Sequence, residues 1–275
     1  MTDTVNVHEI LNSLGKTHFQ YNISVFDCVH STNDIAKELI SSGTAEELII
    51  ISQKQSGGRG RNNKTFSSPE GGVYISFVYN GNKLDDKQSF SMFAPCIAVC
   101  KAIENYLGVY PQIKWPNDIM LDITIPGLTG ASKKICGILT ETQGGSTFSE
   151  HIIVGIGINY STNLDELPID IRQTAGTLRD YTFNNSNKTI SKFISKLIDE
   201  LDSLCIRPHE WLLHEYKMRT NILDKDITVF TDGQKAYAKA IDICEDGALL
   251  IRKTNGEITK IYAGDVSIRT SHREE

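Results

Sequence analysis

The sequence lacks any uninterrupted apolar run of about 18 residues, the length that a membrane-spanning helix requires. Its first 20 residues are polar, without the apolar stretch of a secretion signal or the arginine-rich, acid-poor character of a transit sequence. The net charge of −6 also lacks the basic excess typical of surfaces that bind DNA or RNA. These absences predict a cytoplasmic protein with neither a membrane nor a nucleic acid as its partner.

Metal-binding signatures are missing as well. The seven histidines form no His-Glu-x-x-His cluster, and the six cysteines include no Cys-x-x-Cys pair. Cys96 and Cys100 lie four residues apart on a predicted helix, but no His or Cys follows them at zinc-finger spacing. We interpret both as packed thiols and predict no dedicated metal site. Scattered cysteines of this kind are typical of a reducing compartment.

What the sequence does contain is enough apolar material for one large domain, or for a large domain and a small one. Of its 275 residues 40% are hydrophobic, which is ordinary for a globular protein with a buried core. Strand-like runs and helical patterns occur together up to residue 220, and the longest helical pattern, residues 89–107, contains Pro95, which should kink or begin it. After residue 220, three turns ending in glycine separate short strands. We predict an α+β fold with a mixed sheet flanked by helices, followed by a small β-barrel.

A glycine- and arginine-rich loop, residues 53–61, directly follows the apolar run 48–51. Its glycines let backbone N–H groups approach a ligand, and its two guanidinium groups offer forked donors to phosphate or carboxylate. The pattern favours an anion cradle, and the alternative is a solvated basic turn between strands.

Three further polar stretches have two interpretations each. Residues 31–34, Ser-Thr-Asn-Asp, begin a helical pattern either as ordinary capping residues or as contacts for a small polar ligand. Residues 115–118, Trp-Pro-Asn-Asp, must leave the sheet or lie at its edge, where Asp118 is either a turn residue or a functional acid. Gly155 and Gly157 invite the close approach of a helix or of a ligand.

In chain order, these stretches resemble the biotin–protein ligases. The matching motifs are Ser31-Thr32-Asn33, Gln55-x-x-Gly58-Arg59-Gly60-Arg61, Lys114-Trp-Pro-Asn-Asp118, Lys134-x-x-Gly137-Ile138 and Gly155-x-Gly157-x-Asn159. The similarity covers nearly everything after residue 20. It implies a short N-terminal extension (residues 1–20), a class II synthetase-like catalytic domain of the biotin–lipoate ligase type (21–220) and an SH3-like C-terminal barrel (221–275). Because only about 20 residues precede the catalytic part, we expect the monofunctional type, without an N-terminal DNA-binding domain.

The resemblance implies an enzyme, a biotin–[biotin carboxyl carrier protein] ligase, that works in two steps. Biotin and ATP, the latter with Mg²⁺, give biotinyl-5′-adenylate and pyrophosphate. A lysine of a biotin carboxyl carrier domain, part of a biotin-dependent carboxylase, then attacks the adenylate and becomes biotinylated. The expected oligomeric state is a monomer or a homodimer.

Residue roles follow from the resemblance, position by position. The implied catalytic residues are Lys134, Arg61, Asp118 and Lys114. The implied biotin-binding residues are Ser31, Thr32, Asn33, Gln55, Gly58, Arg59, Gly60, Arg61, Lys134 and Gly137. The implied nucleotide-binding residues are Arg59, Arg61, Phe66, Lys114, Asn117, Asp118 and Asn159.

Two positions depart from the common family pattern. Phe66 stands where the family often has Trp, and the connector 122–133 is longer than usual, so the choice of Lys134 over Lys133 rests on the Lys-x-x-Gly-Ile spacing. Two alternatives remain open. A lipoate or octanoyl ligase of the same fold family would also acylate a carrier lysine, and a biotin-sensing transcriptional regulator would bind an operator.

Overall fold

The structure is a computed structural model that describes residues 4–43, 47–122, 132–144, 150–181, 188–231, 234–262 and 264–268. Its larger part contains a seven-stranded mixed sheet in the order β1-β2-β3-β7-β6-β5-β4. The strands are β1 Asn22–Phe26, β2 Leu48–Ser52, β3 Val73–Asn80, β4 Gln112–Lys114, β5 Asp118–Asp122, β6 Ser132–Gln143 and β7 His151–Ile158. β1 and β2 run parallel, and the other neighbours are antiparallel. The predicted mixed sheet is therefore confirmed.

Helices cover both faces of this sheet. They are α1 Val7–Ser13, α2 Thr32–Ser41, α3 Lys87–Leu107, α4 Ile169–Arg172, α5 Ile190–Leu204 and α6 His209–Arg219. Since successive side chains of a strand point to opposite faces, Ile49 and Ile51 of β2 join the large core that includes α3 and α5, whereas Leu48 and Ile50 pack with Ala36 of α2. Among the described helices, none is long and apolar enough to cross a membrane.

The N-terminal segment packs along α5. The hydroxyl of Ser195 donates to the carbonyl of Ile10 at 2.9 Å, and the backbone N–H of Asn6 donates to the hydroxyl of Ser191 at the same distance. Ile10 is fully buried in the large core. The described part of residues 1–20 is thus bound to α5 and the large core by both apolar packing and hydrogen bonds.

A second, five-stranded antiparallel sheet follows in the order β11-β10-β9-β8-β12. Its strands are β8 Asp226–Thr231, β9 Gln234–Ile243, β10 Leu249–Lys253, β11 Ile258–Ile261 and β12 Asp265–Ile268. Gly247 and Gly256, in two of the predicted turns, have φ angles of 76° and 87°, a region that glycine adopts without steric cost. The third predicted turn, 232–233, lies outside the described residues. β12 was not predicted, because its four residues show too short an alternation to distinguish from loop.

Pro95 does not begin α3, since the helix runs from Lys87 to Leu107 and holds the proline inside it. A proline inside a helix lacks the N–H that would bond the carbonyl four residues earlier. Here that carbonyl belongs to Ser91, and the hydroxyl of Thr140 on β6 donates to it at 3.2 Å. The neighbouring strand supplies the missing donor, which the sequence of the helix alone does not reveal.

Candidate active site

A cleft of about 260 Å³ opens on the face of the large sheet that also carries α2. Its floor is the centre of the sheet, where Gly137 of β6 pairs in register with Gly157 of β7. The predicted residues that line it are Ser31, Thr32, Asn33, Gln55, Arg59, Gly60, Arg61, Phe66, Lys114, Asn117, Asp118, Lys134 and Gly137. Together with Gly155 and Gly157, which also line the cleft, they come from five separate segments of the chain.

Neutral polar groups form one end of the cleft, at the N-terminus of α2. Ser31, Thr32 and Asn33 are each 4% exposed, and the Ser31 side chain makes no helix-capping hydrogen bond. The backbone N–H of Thr32 donates to Gln55 Oε1 at 2.8 Å, and Gln55 Nε2 donates to the hydroxyl of Ser68 at 2.9 Å. Hydroxyl and amide groups held in this way suit a neutral ligand that both donates and accepts hydrogen bonds.

Glycines make room for this arrangement. A Cβ atom on Gly155 would lie 2.4 Å from Asn33 Oδ1, and one on Gly157 would lie 2.5 Å from a ring carbon of Phe66. Either distance is far shorter than any van der Waals contact. Gly155 thus leaves room for Asn33 at the N-terminal end of α2, and Gly157 leaves room for the ring of Phe66.

Arg59, on the glycine- and arginine-rich loop, is already paired with carboxylates. Its guanidinium binds Asp34 through two hydrogen bonds of 2.8 and 2.5 Å and lies 3.8 Å from Glu141. The hydrogen bond to Asp34 is the largest contribution that raises the pKa of Arg59. Arg61 and Lys114 also line the cleft and form no salt bridge with another described residue. They are the cations most available to an incoming anion.

Glu141 of β6 contacts both the neutral end of the cleft, through Asn33, and the glycine- and arginine-rich loop, through Arg59. It accepts from Asn33 Nδ2 at 2.8 Å and from Lys37 Nζ at 2.6 Å. Burial alone would raise the pKa of this carboxyl, but the hydrogen bonds from Lys37 and Asn33 outweigh it and hold the pKa below its ordinary value. Glu141 is therefore ionised at neutral pH.

A β-bulge places Lys134 in the cleft. Ile119 of β5 pairs with Cys136 and the next residue, Met120, pairs with Lys134, so Ile135 is the extra residue. Positions 134 and 137 of a regular strand face opposite ways, and the extra residue brings both to the cleft face. Lys134 Nζ lies 2.6 Å from Asp118 Oδ1. Lys133 instead donates to the carbonyl of Gln173, away from the cleft lining.

The Trp-Pro-Asn-Asp segment turns between β4 and β5 and is held from several sides. The Trp115–Pro116 peptide bond is cis. Trp115 Nε1 donates to the carbonyl of Gly247 in the second sheet at 3.0 Å, and the Pro116 carbonyl accepts from the hydroxyl of Tyr216 at 2.7 Å. The side-chain amide of Asn117 donates to the carbonyl of Ile138. These contacts fix where Asp118 enters the cleft.

The two remaining predicted residues lie outside the cleft lining. Gly58 supports the loop, since its carbonyl accepts from the N–H of Phe66 at 2.9 Å and a Cβ atom there would lie 2.5 Å from the Phe66 carbonyl. Asn159 is 6% exposed, and its side-chain amide donates to the carbonyl of Gly176 at 3.0 Å. In this structure both residues form hydrogen bonds with the backbone around the site and do not line the cleft itself.

Sequence reasoning missed several residues at the site. Ser76 of β3 and Glu141 form hydrogen bonds with Thr32 and Asn33 at the neutral end. Ile171, Gly264 and Val266 line the cleft. A single serine within the apolar run 73–79 was the available signal for Ser76. The others become neighbours of the cleft only through the tertiary fold.

The cleft offers little to a free metal ion. In the parts of the chain that the structure describes, no group of three or more His, Cys, Asp or Glu side chains could hold a metal. Of the described residues that line the cleft, Asp118 alone carries a carboxylate, and one of its oxygens faces Lys134. The residues fit a Mg²⁺ ion only if most of its ligands come from a bound phosphate and water.

The cleft has a neutral hydrogen-bonding end and a cationic end, and it lies on a mixed sheet that is followed by a small five-stranded sheet. This arrangement is the one expected of a ligase-type catalytic domain with an accessory C-terminal domain. Residues 25–159 match the Biotin/lipoate A/B protein ligase family, and residues 222–269 match the Biotin protein ligase C terminal domain. The chain belongs to this family.

Relatives with established names agree with the match. The chain is 28% identical over 248 residues to the bifunctional ligase/repressor BirA of Bacillus subtilis, covering 88% of this chain and 72% of that protein. It is 23% identical to the biotin–[acetyl-CoA-carboxylase] ligase of Mycobacterium tuberculosis, covering 86% and 85%. The solved biotin protein ligase of Aquifex aeolicus, in complex with biotin and ATP, superposes with a TM-score of 0.69 at 25% identity, covering 91% of this chain and 99% of that one.

Proposed function

We propose that this protein is an ATP-dependent biotin–protein ligase that forms biotinyl-5′-adenylate and transfers biotin to a lysine of a biotin carboxyl carrier domain. The observation that carries the proposal is the two-ended cleft. Its neutral end, Ser31 to Asn33 with Gln55, suits the ureido head of biotin, and Arg61, Lys114 and Lys134 line the same cleft and supply the cations that two approaching anions would need. The names of the Mycobacterium and Aquifex relatives support the same activity.

In the first step, the carboxylate of biotin attacks the α-phosphorus of ATP, a P–O bond forms, and pyrophosphate leaves. Two anions must approach each other, so cations around the reacting atoms stabilise the charge that develops between them. Lys134 would hold the carboxylate and the acyl-phosphate oxygen, with Arg61 and Lys114 on the phosphates. Mg²⁺, which would enter with ATP, neutralises phosphate charge, and Asp118 is the lining carboxylate that could contact it.

In the second step, a lysine amine of the carrier domain attacks the acyl carbon, an amide forms, and AMP leaves. The amine must first lose a proton, because its ordinary pKa of about 10.4 keeps it charged at neutral pH. Asp118, 2.6 Å from Lys134, is the proposed group that orients and deprotonates it. We propose the same domain division as above, with residues 21–220 as the catalytic domain.

Transfer of labelled acid to a purified carrier domain tests this function. The protein with ATP and Mg²⁺ should incorporate labelled biotin into a biotin carboxyl carrier domain, and a carrier variant without the acceptor lysine should remain unlabelled. Labelled lipoate with a lipoyl domain is the matched comparison. Incorporation of lipoate but not biotin would assign the chain to the lipoate branch of the family instead.

A further inference from the structure

Two side chains that do not line the cleft, the buried Ser76 and the half-buried Glu141, control its neutral end. Ser76, on β3 beneath α2, is fully buried, and its Oγ lies 2.7 Å from Thr32 Oγ1 and 2.6 Å from Asn33 Oδ1. Glu141, on β6, contacts the other end of the same Asn33 side chain at 2.8 Å. Glu141, Asn33, Ser76 and Thr32 thus form one continuous chain of hydrogen bonds, which we term the polar relay.

The direction of each bond in the polar relay follows from its neighbour. An ionised carboxylate only accepts, so Asn33 must turn its NH₂ group toward Glu141 and its Oδ1 toward Ser76. Oδ1 also only accepts, so Ser76 must use its single hydroxyl hydrogen there. The hydroxyl of Thr32 then has two acceptors within reach, Ser76 Oγ at 2.7 Å and Gln55 Oε1 at 3.2 Å, and Gln55 Oε1 already accepts from the Thr32 backbone N–H. The shorter contact, with Ser76, can be satisfied only if Thr32 donates to it.

These bond directions determine which hydrogen bonds Thr32 and Asn33 can offer to a ligand in the cleft. With its hydrogen committed to Ser76, the hydroxyl of Thr32 presents only lone pairs to the cleft and so accepts from a ligand N–H. Asn33 has one N–H of its amide group left, beyond the one bound to Glu141, and can donate to a ligand carbonyl. We infer that Ser76 and Glu141 are positioning residues that fix the head-group site as an acceptor at Thr32 and a donor at Asn33. This inference rests on the proposed function, in which the head group is a cyclic urea with N–H donors beside a carbonyl.

Glu141→Gln is the sharpest perturbation, because it keeps the size of the side chain and reverses the polar relay. Lys37 Nζ lies 2.6 Å from one Glu141 oxygen and will retain the single carbonyl oxygen of the glutamine. The glutamine NH₂ group then faces Asn33, which must turn its Oδ1 toward it and its NH₂ toward Ser76. Ser76 now donates to Thr32, so the Thr32 hydrogen can turn toward an acceptor on a ligand in the cleft in place of its long contact with Gln55 Oε1, 3.2 Å away.

The experiment compares biotin with its two cyclic carbamate analogues, in each of which a ring oxygen replaces one ureido N–H. Calorimetric titration of the protein gives a dissociation constant for each compound. In the unmodified protein, the analogue that places its oxygen against Thr32 should bind at least about 100-fold more weakly than biotin, since two acceptors then face each other. In Glu141→Gln and in Ser76→Ala this ratio should fall to about tenfold or less, because Thr32 regains a hydrogen to donate.

Two control variants separate polarity from stability. Lys37→Gln removes the ion pair with Glu141 but leaves its contact with Asn33, and Ser195→Ala removes another buried hydroxyl far from the cleft. Both should keep the analogue ratio of the unmodified protein. Should Ser76→Ala unfold, Glu141→Gln alone decides the question.

The outcomes are distinguishable. Equal weakening of biotin and both analogues in Glu141→Gln would overturn the inference and leave these residues with a structural role only. The inference also fails if the unmodified protein binds biotin but does not discriminate against either analogue. Failure of the unmodified protein to bind biotin at all would overturn the proposed function, and the inference with it.

Discussion

Gly157→Ala should destabilise the protein by forcing the ring of Phe66 off the floor of the cleft. The new Cβ atom would lie 2.5, 2.8 and 3.1 Å from three ring carbons, so the ring must move by roughly 1 Å to reach ordinary contact. The loop backbone resists this movement, because the Phe66 N–H is bonded to the Gly58 carbonyl at 2.9 Å. The ring also lies 5.9 Å from Lys134 Nζ, and its displacement removes that favourable contact.

Overpacking of this kind costs about 1–3 kcal/mol. For a domain of about 200 residues, 1 kcal/mol corresponds to roughly 2–4 °C, so a cost of about 2 kcal/mol should lower the Tm by about 4–8 °C. Differential scanning calorimetry of the ligand-free protein measures it. If displacement of Phe66 is the cause, the same substitution in a Phe66→Ala background should lower the Tm by less than about 2 °C.

The double-mutant cycle tests whether Gly157 and Phe66 are energetically coupled. Residues in contact show coupling energies of about 0.5–3 kcal/mol, whereas independent substitutions add. Equal Tm losses from Gly157→Ala in both backgrounds would mean that the ring does not occupy the floor of the cleft. Gly256→Ala is a matched control, because its Cβ atom would meet no described heavy atom within 4 Å, and its cost should not depend on Phe66.

Three further predictions concern charged groups. Lys134→Ala should abolish adenylate formation, because an acyl-phosphate oxygen loses its charge partner, and near-normal pyrophosphate release would contradict that role. Arg61→Gly should speed dissociation of the adenylate more than it slows its synthesis, and an unchanged dissociation rate would count against a holding role. The lowered pKa of Glu141 means that its charge stabilises the fold fully above its ordinary value of 4.5 and ceases to do so as the pH falls through the folded-state pKa. The Tm difference between the native protein and Glu141→Gln should therefore shrink from pH 7 to about pH 4, and a constant difference would refute the coupling.

The sequence was most informative where a local pattern determines structure. The alternation in residues 73–79 and the helical spacing of 190–204 specify β3 and α5 almost to the residue, and the turn glycines 247 and 256 mark hairpins. Two-sided burial is also visible, since the uniformly apolar run 48–51 became a strand inside the sheet. These features need only knowledge of neighbouring residues along the chain.

Contacts between distant segments could not be predicted in the same way. Asp34 looked like a helix-capping residue and Arg59 like an anion-binding residue, yet the two form a bidentate pair across 25 positions of the chain. Thr140 compensates for Pro95 from another element. The bulge at Ile135 depends on pairing between β5 and β6, so the spacing from Lys134 to Gly137 identifies the motif without explaining it.

The pairing of Arg59 gives the cleft an electrostatic direction. Around the head-group end, Arg59 and Lys37 face Asp34 and Glu141, so two cations meet two carboxylates. At the other end, Arg61, Lys114 and Lys134 share the cleft lining with Asp118, so positive charge is in excess among the described residues there. A ligand with a neutral head and an anionic tail gains from the positive end only when its tail points there, and it avoids burying a charge against the balanced end. In the proposed function, this charge distribution would direct the carboxylate of biotin toward Lys134, the residue proposed to hold it.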